Sequence, residues 1–184
     1  MSGGHEIGPA DVLAFWRDAG ADRWFARDDG FDAAITAQFR ALWERASRGE
    51  LADWETSDDG TLALVIVLDQ FPRNMFRDDA RAFSSDASAR DVARRALGRA
   101  VDQRIEPDLR AFLYMPFMHS EDPADQRACV NLFQAHGDPD NLKYAEIHAD
   151  IIDRFGRFPH RNRVLNRVMT SEEQSFLDSG GFSG

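Results

Sequence analysis

Residues 57–74 read Ser57-Asp58-Asp59-Gly60-Thr61-Leu62-Ala63-Leu64-Val65-Ile66-Val67-Leu68-Asp69-Gln70-Phe71-Pro72-Arg73-Asn74, and the fold class turns on them. Val65-Ile66-Val67 favours a strand by propensity, because β-branched side chains suit a pleated surface. The apolar run from Leu62 to Leu68 is continuous, so it shows neither the alternation of a half-buried strand nor the period of an amphipathic helix. Its length and the Ser57-Asp58-Asp59 opening favour a buried helix over Thr61–Phe71, with Pro72 as its stop. No other stretch offers a partner strand. The segment is read as helix, and the chain as all-α.

The flanking sequence gives the same reading. Gly8 caps, Pro9 takes the first helical position, Asp11 lies in the first turn and Ile7 staples onto Val12, so a helix is expected from Pro9 to Ala19 with Gly20 as its stop. A second begins near Gly30. It carries Phe31, Ile35, Phe39, Leu42, Trp43 and Ala46 on one face and ends at Gly49. A long helix follows from Ser85 to Gln103, burying Val92, Ala96, Leu97, Ala100 and Val101. The next runs from Pro107 to Met118, with Pro116 kinking or ending it. Asp122-Pro123 and Asp138-Pro139 are helix starts leading to Ala135 and Phe155, and Gly156 stops the latter. Thr170-Ser171-Glu172-Glu173 fits a capping box for a last helix. About eight short helices in antiparallel hairpins result. The pairs near residues 30–71, 85–118 and 123–155 resemble stacked αα-hairpins, although no 34-residue signature repeats. One all-α domain is expected over 9–178, between Gly/Ser-rich flexible tails at 1–8 and 179–184.

The chain has 184 residues with 22 Lys plus Arg against 32 Asp plus Glu, a net charge of −10, and 43% of it is hydrophobic. That is enough for a core, and it excludes disorder or a low-complexity chain. So acidic a balance argues against nucleic acid or an anionic membrane as partner. Cys129 is the single cysteine, which excludes an intrachain disulfide framework and a cysteine zinc cluster. Met1–Pro9 has no basic stretch followed by an apolar run, and no apolar run approaches the ~20 residues of a membrane span. A cytoplasmic location is expected.

Three helix ends share one chemistry. Asp69-Gln70-Phe71-Pro72-Arg73-Asn74 and Arg157-Phe158-Pro159-His160-Arg161-Asn162 both place Phe-Pro just before an Arg-Asn pair. Between them lies Tyr114-Met115-Pro116-Phe117-Met118-His119-Ser120-Glu121-Asp122, another aromatic-Pro break followed by polar residues. Two readings of these breaks stand open. In one, Arg73, Asn74, Arg161 and Asn162 cap helix C-termini, and His119 and Glu121 form a surface or capping pair. In the other, the breaks converge on one side of a helical array. Arg73, His119, His160 and Arg161 then supply donors, and Asp69 and Glu121 orient them. The stretch Arg154–Arg167 holds five Arg and no acidic residue, a local positive field suited to an anion.

Other chemistries find less support. The histidines His5, His119, His136, His148 and His160 lack a zinc-ligand spacing, and neither metal nor cofactor is expected. His148, four residues after Tyr144 and three before Ile151, reads as a helix-face histidine. Cys129, between Ala128 and Val130, reads as a buried inert thiol. No Gly-x-Ser-x-Gly elbow, Gly-rich phosphate loop or dinucleotide fingerprint is present. The Arg90, Arg94, Arg95, Arg99 series reads as a solvated face pairing with Asp91 and Asp102. Trp24-Phe25 is the candidate pocket wall.

Phe15-Trp16, Trp24-Phe25, Leu68-Asp69-Gln70-Phe71-Pro72-Arg73-Asn74, Met118-His119-Ser120-Glu121 and Phe155-Gly156-Arg157-Phe158-Pro159-His160-Arg161-Asn162, in this order, resemble the bacterial "domain of unknown function 924" family from about Asp11 to Leu177. The resemblance implies an all-α fold similar to tetratricopeptide-like helical arrays. It implies no established activity, cofactor or substrate. The expected function is a binding module for a peptide or protein segment, or a small anionic group. Its surface is lined by Asp69, Arg73, Asn74, His119, Glu121, His160, Arg161 and Asn162. The alternative is a small-molecule enzyme with His119 or His160 as acid/base and Arg73 and Arg161 as anion clamps.

Overall fold

The computed structural model describes residues 6–183, and among these every regular element is helical and no strand occurs. The N-terminal tail expected over 1–8 falls mostly on residues 1–5, which lie outside the described residues, as does Gly184. The chain divides into two compact units, one running to Arg77 and adding Arg81–Leu113, the other comprising Asp78–Ala80 and the residues from Tyr114 onward.

In the first unit, α1 (Pro9–Ala19) starts as its sequence dictates. Asp11 Oδ2 accepts from the Gly8 amide at 2.8 Å, and Gly20 follows at φ 71°. A short α2 (Ala21–Trp24) leads to α3 (Asp29–Ser47), whose cap is Asp28, accepting from the Gly30 and Phe31 amides at 2.9 and 3.0 Å. Ser57 caps α4 (Asp58–Val65) by accepting from the Gly60 amide at 3.0 Å. Gly60 is required there. A Cβ would lie 2.2 Å from the Trp54 carbonyl oxygen.

The run that decided the fold class is helical, and Pro72 does not stop it. After α4 the chain makes one wider π turn, Ile66–Gln70, in which the Phe71 amide donates to Ile66, five residues back. The helix then resumes as α5 (Phe71–Met75) with Pro72 in its first turn, where a missing amide is tolerated. Every residue from Thr61 to Pro72 is buried, because α1, α3 and α6 (Asp86–Gly98) pack around this segment. A helix enclosed on all sides has no polar face, which accounts for the lost periodicity. Trp16, Phe39 and Phe71 are among the largest fully buried side chains, each stabilising by roughly 1.5–3 kcal/mol through burial.

The long helix expected over Ser85–Gln103 is shorter. It ends at Gly98, Ala100 takes a left-handed conformation at φ 52°, and Val101–Gln103 form a 3-10 turn. The break turns Val101 into the core, and Arg104 donates to the carbonyls of Arg99 and Ala100 at 2.8 and 3.1 Å. Pro107–Met118 is likewise divided, into a 3-10 turn at Pro107–Leu109 and α7 (Ala111–Met118), which contains Pro116 and continues past it.

In the second unit, Asp122 caps α8 (Pro123–His136) and Asp138 caps α9 (Pro139–Phe155), with Gly137 and Gly156 at φ 76° and 67° after them. A 3-10 turn at Pro159–Arg161 follows. Thr170 and Glu173 then form the expected capping box of α10 (Ser171–Asp178). Ile151, Ile152 and Phe158 form a core cluster on which Ile147, Phe155, Phe176 and Phe182 pack. Phe182 lies in the segment read as a tail and joins this cluster. No helix among the described residues is long and apolar enough to cross a membrane.

Candidate functional site

Asp69, Arg73 and Asn74 fall in the first unit and His119, Glu121, His160, Arg161 and Asn162 in the second.

The first set hangs on the π turn. Asp69, fully buried, accepts from Gln70 Nε2 at 2.7 Å and faces Arg73 Nη1 at 3.4 Å. The Arg73 guanidinium is a fork on Asp86, at 2.9 and 3.1 Å, and also donates to the Asp69 carbonyl. Burial works against its charge, and Asp86 and Asp69 more than compensate, raising its pKa. Asn74 Nδ2 donates to Asp32 Oδ1 at 2.8 Å, and Arg77 clasps the same carboxylate through Nε and Nη2. Here the anion positions of both forks are filled by the chain's own Asp86 and Asp32.

The second set is built on the turn after α9. Glu121 accepts from both Arg167 Nη atoms, at 2.8 and 2.9 Å, and from the Phe158 amide at 2.9 Å. Burial pushes its carboxyl up, and the hydrogen bonds of Arg167 and Phe158 with the charges of Arg167 and Arg161 more than offset this, leaving it below its ordinary range. Arg161, 6% exposed, lays its guanidinium 4.5 Å over the Phe158 ring. Asn162, fully buried, points Nδ2 at Met169 Sδ, 3.4 Å away. His119 and His160 are half-buried.

The basic stretch is not an unopposed positive field. Arg157 forms a fork on Glu173 at 2.6 and 2.9 Å, Arg167 does the same on Glu121, and Arg154 faces Asp150 at 3.6 Å. The acids come from outside the stretch. Hydrogen bonding by Arg157 and by the Thr170 amide, against the opposing effect of burial, brings the Glu173 carboxyl down to about 2.

The carbonyls at the end of α7 are taken by Gln126, whose Nε2 reaches Phe117, Met118 and Ser120 at 3.3, 2.8 and 2.6 Å. Asp32, Arg77, Asp86, Gln126, Arg157, Arg167 and Glu173 were not among the expected site residues. Only the basic stretch signalled two of them, since most of their partners lie 13–46 residues away along the chain. The Arg94–Asp91 pair forms at 3.3 Å, while Arg95 turns to Glu55 at 2.7 Å. A shallow cavity of about 260 Å³ in the first unit is lined by Phe15, Phe31, Arg23 and Asp28 among others, and not by Trp24 or Phe25. Trp24 instead donates to the Trp16 carbonyl at 2.7 Å, and Phe25 is 63% exposed. Burial pushes the Cys129 thiol up to about 12, so thiolate chemistry is not available to it. No group of three or more His, Cys, Asp or Glu among the described residues has metal-site geometry.

None of the curated proteins compared with the chain matches it. A solved structure of a protein of unknown function from Agrobacterium tumefaciens is 45% identical. That alignment covers 94% of this chain and 97% of the other, with a TM-score of 0.90. The family described as "Bacterial protein of unknown function (DUF924)" matches residues 12–181, nearly the whole chain. The chain belongs to this family of bacterial all-helical proteins.

Proposed function

We propose that the protein is a cytoplasmic, tetratricopeptide-like binding module that receives a peptide or protein segment, or an anionic group, on the second unit. The receiving surface carries the half-buried His119, Glu121 and His160, and the buried Arg161 and Asn162 support it. One observation carries this reading. The half-buried His160 ring packs on that of Phe158 at 5.6 Å, and the Phe182 ring also lies 5.6 Å from it. Phe158 is held in turn by Arg161 stacked on its ring and by Glu121, which accepts from its amide and lies in the Arg167 fork. A ring fixed in this way loses little freedom on binding. Near neutral pH a histidine offers either a neutral or a charged donor to a carboxylate or carbonyl. Asp69, Arg73 and Asn74 support the fold of the first unit in this reading, since Asp86 fills the Arg73 fork and Asp32 accepts from Asn74.

The test is NMR of the His119 and His160 rings while inorganic phosphate, and separately an Asp/Glu-rich dodecapeptide, is added to millimolar concentration. Saturable shifts of both rings, weakened in His160→Asn, are expected. Rings that stay unmoved by both probes would overturn the reading.

A further inference from the structure

The cavity of the first unit plays no part in the binding surface proposed above, and two helix ends build it. Phe15 and Asp18 come from the last turns of α1, Arg23 from α2, and Asp28 and Phe31 from the start of α3. Its apolar wall is fixed by the core. The Phe15 and Phe31 rings stack in parallel with centroids 5.5 Å apart, Phe15 stands edge-on to Phe39 at 5.0 Å, and the buried Phe31 packs on Trp16 at 6.0 Å. A wall already ordered by core packing adds no ordering cost on binding. The volume, about 260 Å³, lies below the ~300–1,000 Å³ of sites that take drug-sized molecules, so the fitting occupant is smaller than these.

The charged groups on the wall are unequally engaged. Asp28 Oδ1 accepts from the Gly30 and Phe31 amides, and its Oδ2 faces Arg23 Nε at 3.8 Å, so these two charges answer each other. Arg17, beside Asp18 in sequence, is paired with Glu106 at 2.9 Å. The Asp18 side chain makes no hydrogen bond or ion pair among the described residues, which leaves one uncompensated carboxylate next to two aromatic rings. The carbonyls that close α1 add partial negative charge on the same side. A cation with an apolar body meets each of these features. Its charge pairs with Asp18, its body covers the phenylalanine rings, and a chain of net charge −10 draws it in. An anion would face two carboxylates and a single guanidinium that is already engaged.

We propose that this cavity is a binding site for a small primary ammonium ion with an apolar body, its charge held by Asp18 and its body by Phe15 and Phe31. The site is separate from the surface on the second unit and does not depend on that reading.

The probes are phenethylammonium and its anionic counterpart phenylpropionate, added separately to the full chain, with the Gly30 amide and Phe31 ring signals read by NMR. Expected is saturation by phenethylammonium at millimolar concentration or below, with no matching response to phenylpropionate. Asp18→Asn should need about tenfold more of the ammonium ion, through loss of one charge-assisted contact. Arg23→Gln, which leaves Asp28 without its counter-ion, should need less than the wild type. No saturable shift with phenethylammonium, an equal response to phenylpropionate, or an unchanged requirement in Asp18→Asn would each overturn the proposal. Asp18 is exposed and bonded to no other side chain, so its replacement leaves the fold in place. The Arg23→Gln arm decides independently of that variant, and a weaker response there would overturn the proposal as well. The His119 and His160 signals that test the second unit are not read here, so the two failures are distinguishable.

Discussion

Ser85 supplies the hydrogen bond that Pro72 cannot. In α-helical register an amide at position 72 would donate to the carbonyl of Leu68, four residues back, and proline has none. Ser85 Oγ donates to that carbonyl at 2.6 Å, and Trp43 Nε1 donates to the Ser85 oxygen at 3.0 Å. One residue further on, the Asp69 carbonyl accepts from the Arg73 side chain. The continuous path through Pro72 rests on side chains brought from α3 and the start of α6.

Ser85→Ala is therefore expected to lower stability by about 1–3 kcal/mol, the cost of an unsatisfied buried carbonyl and indole N–H. In a Pro72→Ala background the restored amide takes up Leu68 and the cost shrinks. Urea unfolding of the four proteins of this double-mutant cycle measures the coupling. Equal costs in both backgrounds would mean that the substituted amide does not reach Leu68.

Glu173 ties stability to acid. Unfolded, its carboxyl titrates in the ordinary glutamate range, and folded it titrates at about 2. The folded state thus binds fewer protons between these values. The stabilisation is complete above the ordinary range and is lost as pH falls toward 2. Glu173→Gln should flatten the decline of the melting temperature over that interval, and an unchanged slope would assign acid sensitivity elsewhere.

Gln126 Nε2 lies within hydrogen-bond reach of three carbonyls and shares its two hydrogens among them. Gln126→Ala is expected to cost about 1–3 kcal/mol by urea unfolding, and Gln126→Glu more, because a carboxylate would face three oxygens in a buried setting.

Arg161 and His119 should separate in thermal unfolding. Arg161→Ala removes a buried stack on Phe158 and is expected to lose about 1–3 kcal/mol. His119→Ala, at a half-buried position, should stay within about 1 kcal/mol. Comparable losses would place His119 in the architecture and take it out of the binding surface.

The Cys129 thiol is buried, with its pKa pushed up to about 12. An aromatic disulfide reagent at pH 8 should leave it unmodified in the native protein and modify it as the chain unfolds. Rapid native-state modification would contradict its burial.

Helix starts were legible because their signals are local. Pro9, Asp122-Pro123, Asp138-Pro139 and the Thr170–Glu173 box act within four residues, and each begins a helix where the sequence placed it. Some helix ends were not. The break at Ala100 depends on burying Val101 and on Arg104, and the passage through Pro72 depends on Ser85. The site residues show the same division. Arg157 and Arg167 stood out as a run of positive charge, but the acids that answer them lie 16 and 46 residues away.

By itself the sequence determined the all-helical class, the helix starts, and which helix is enclosed, since a seven-residue apolar run with no polar face must be buried on every side. Only the tertiary structure decided which arginine meets which carboxylate, and that Phe182 closes on His148 and His160. The reason is one of range. Capping and helical periodicity act over a turn or two of chain, whereas ion pairs and ring contacts form between groups that only the completed fold brings within a few ångströms.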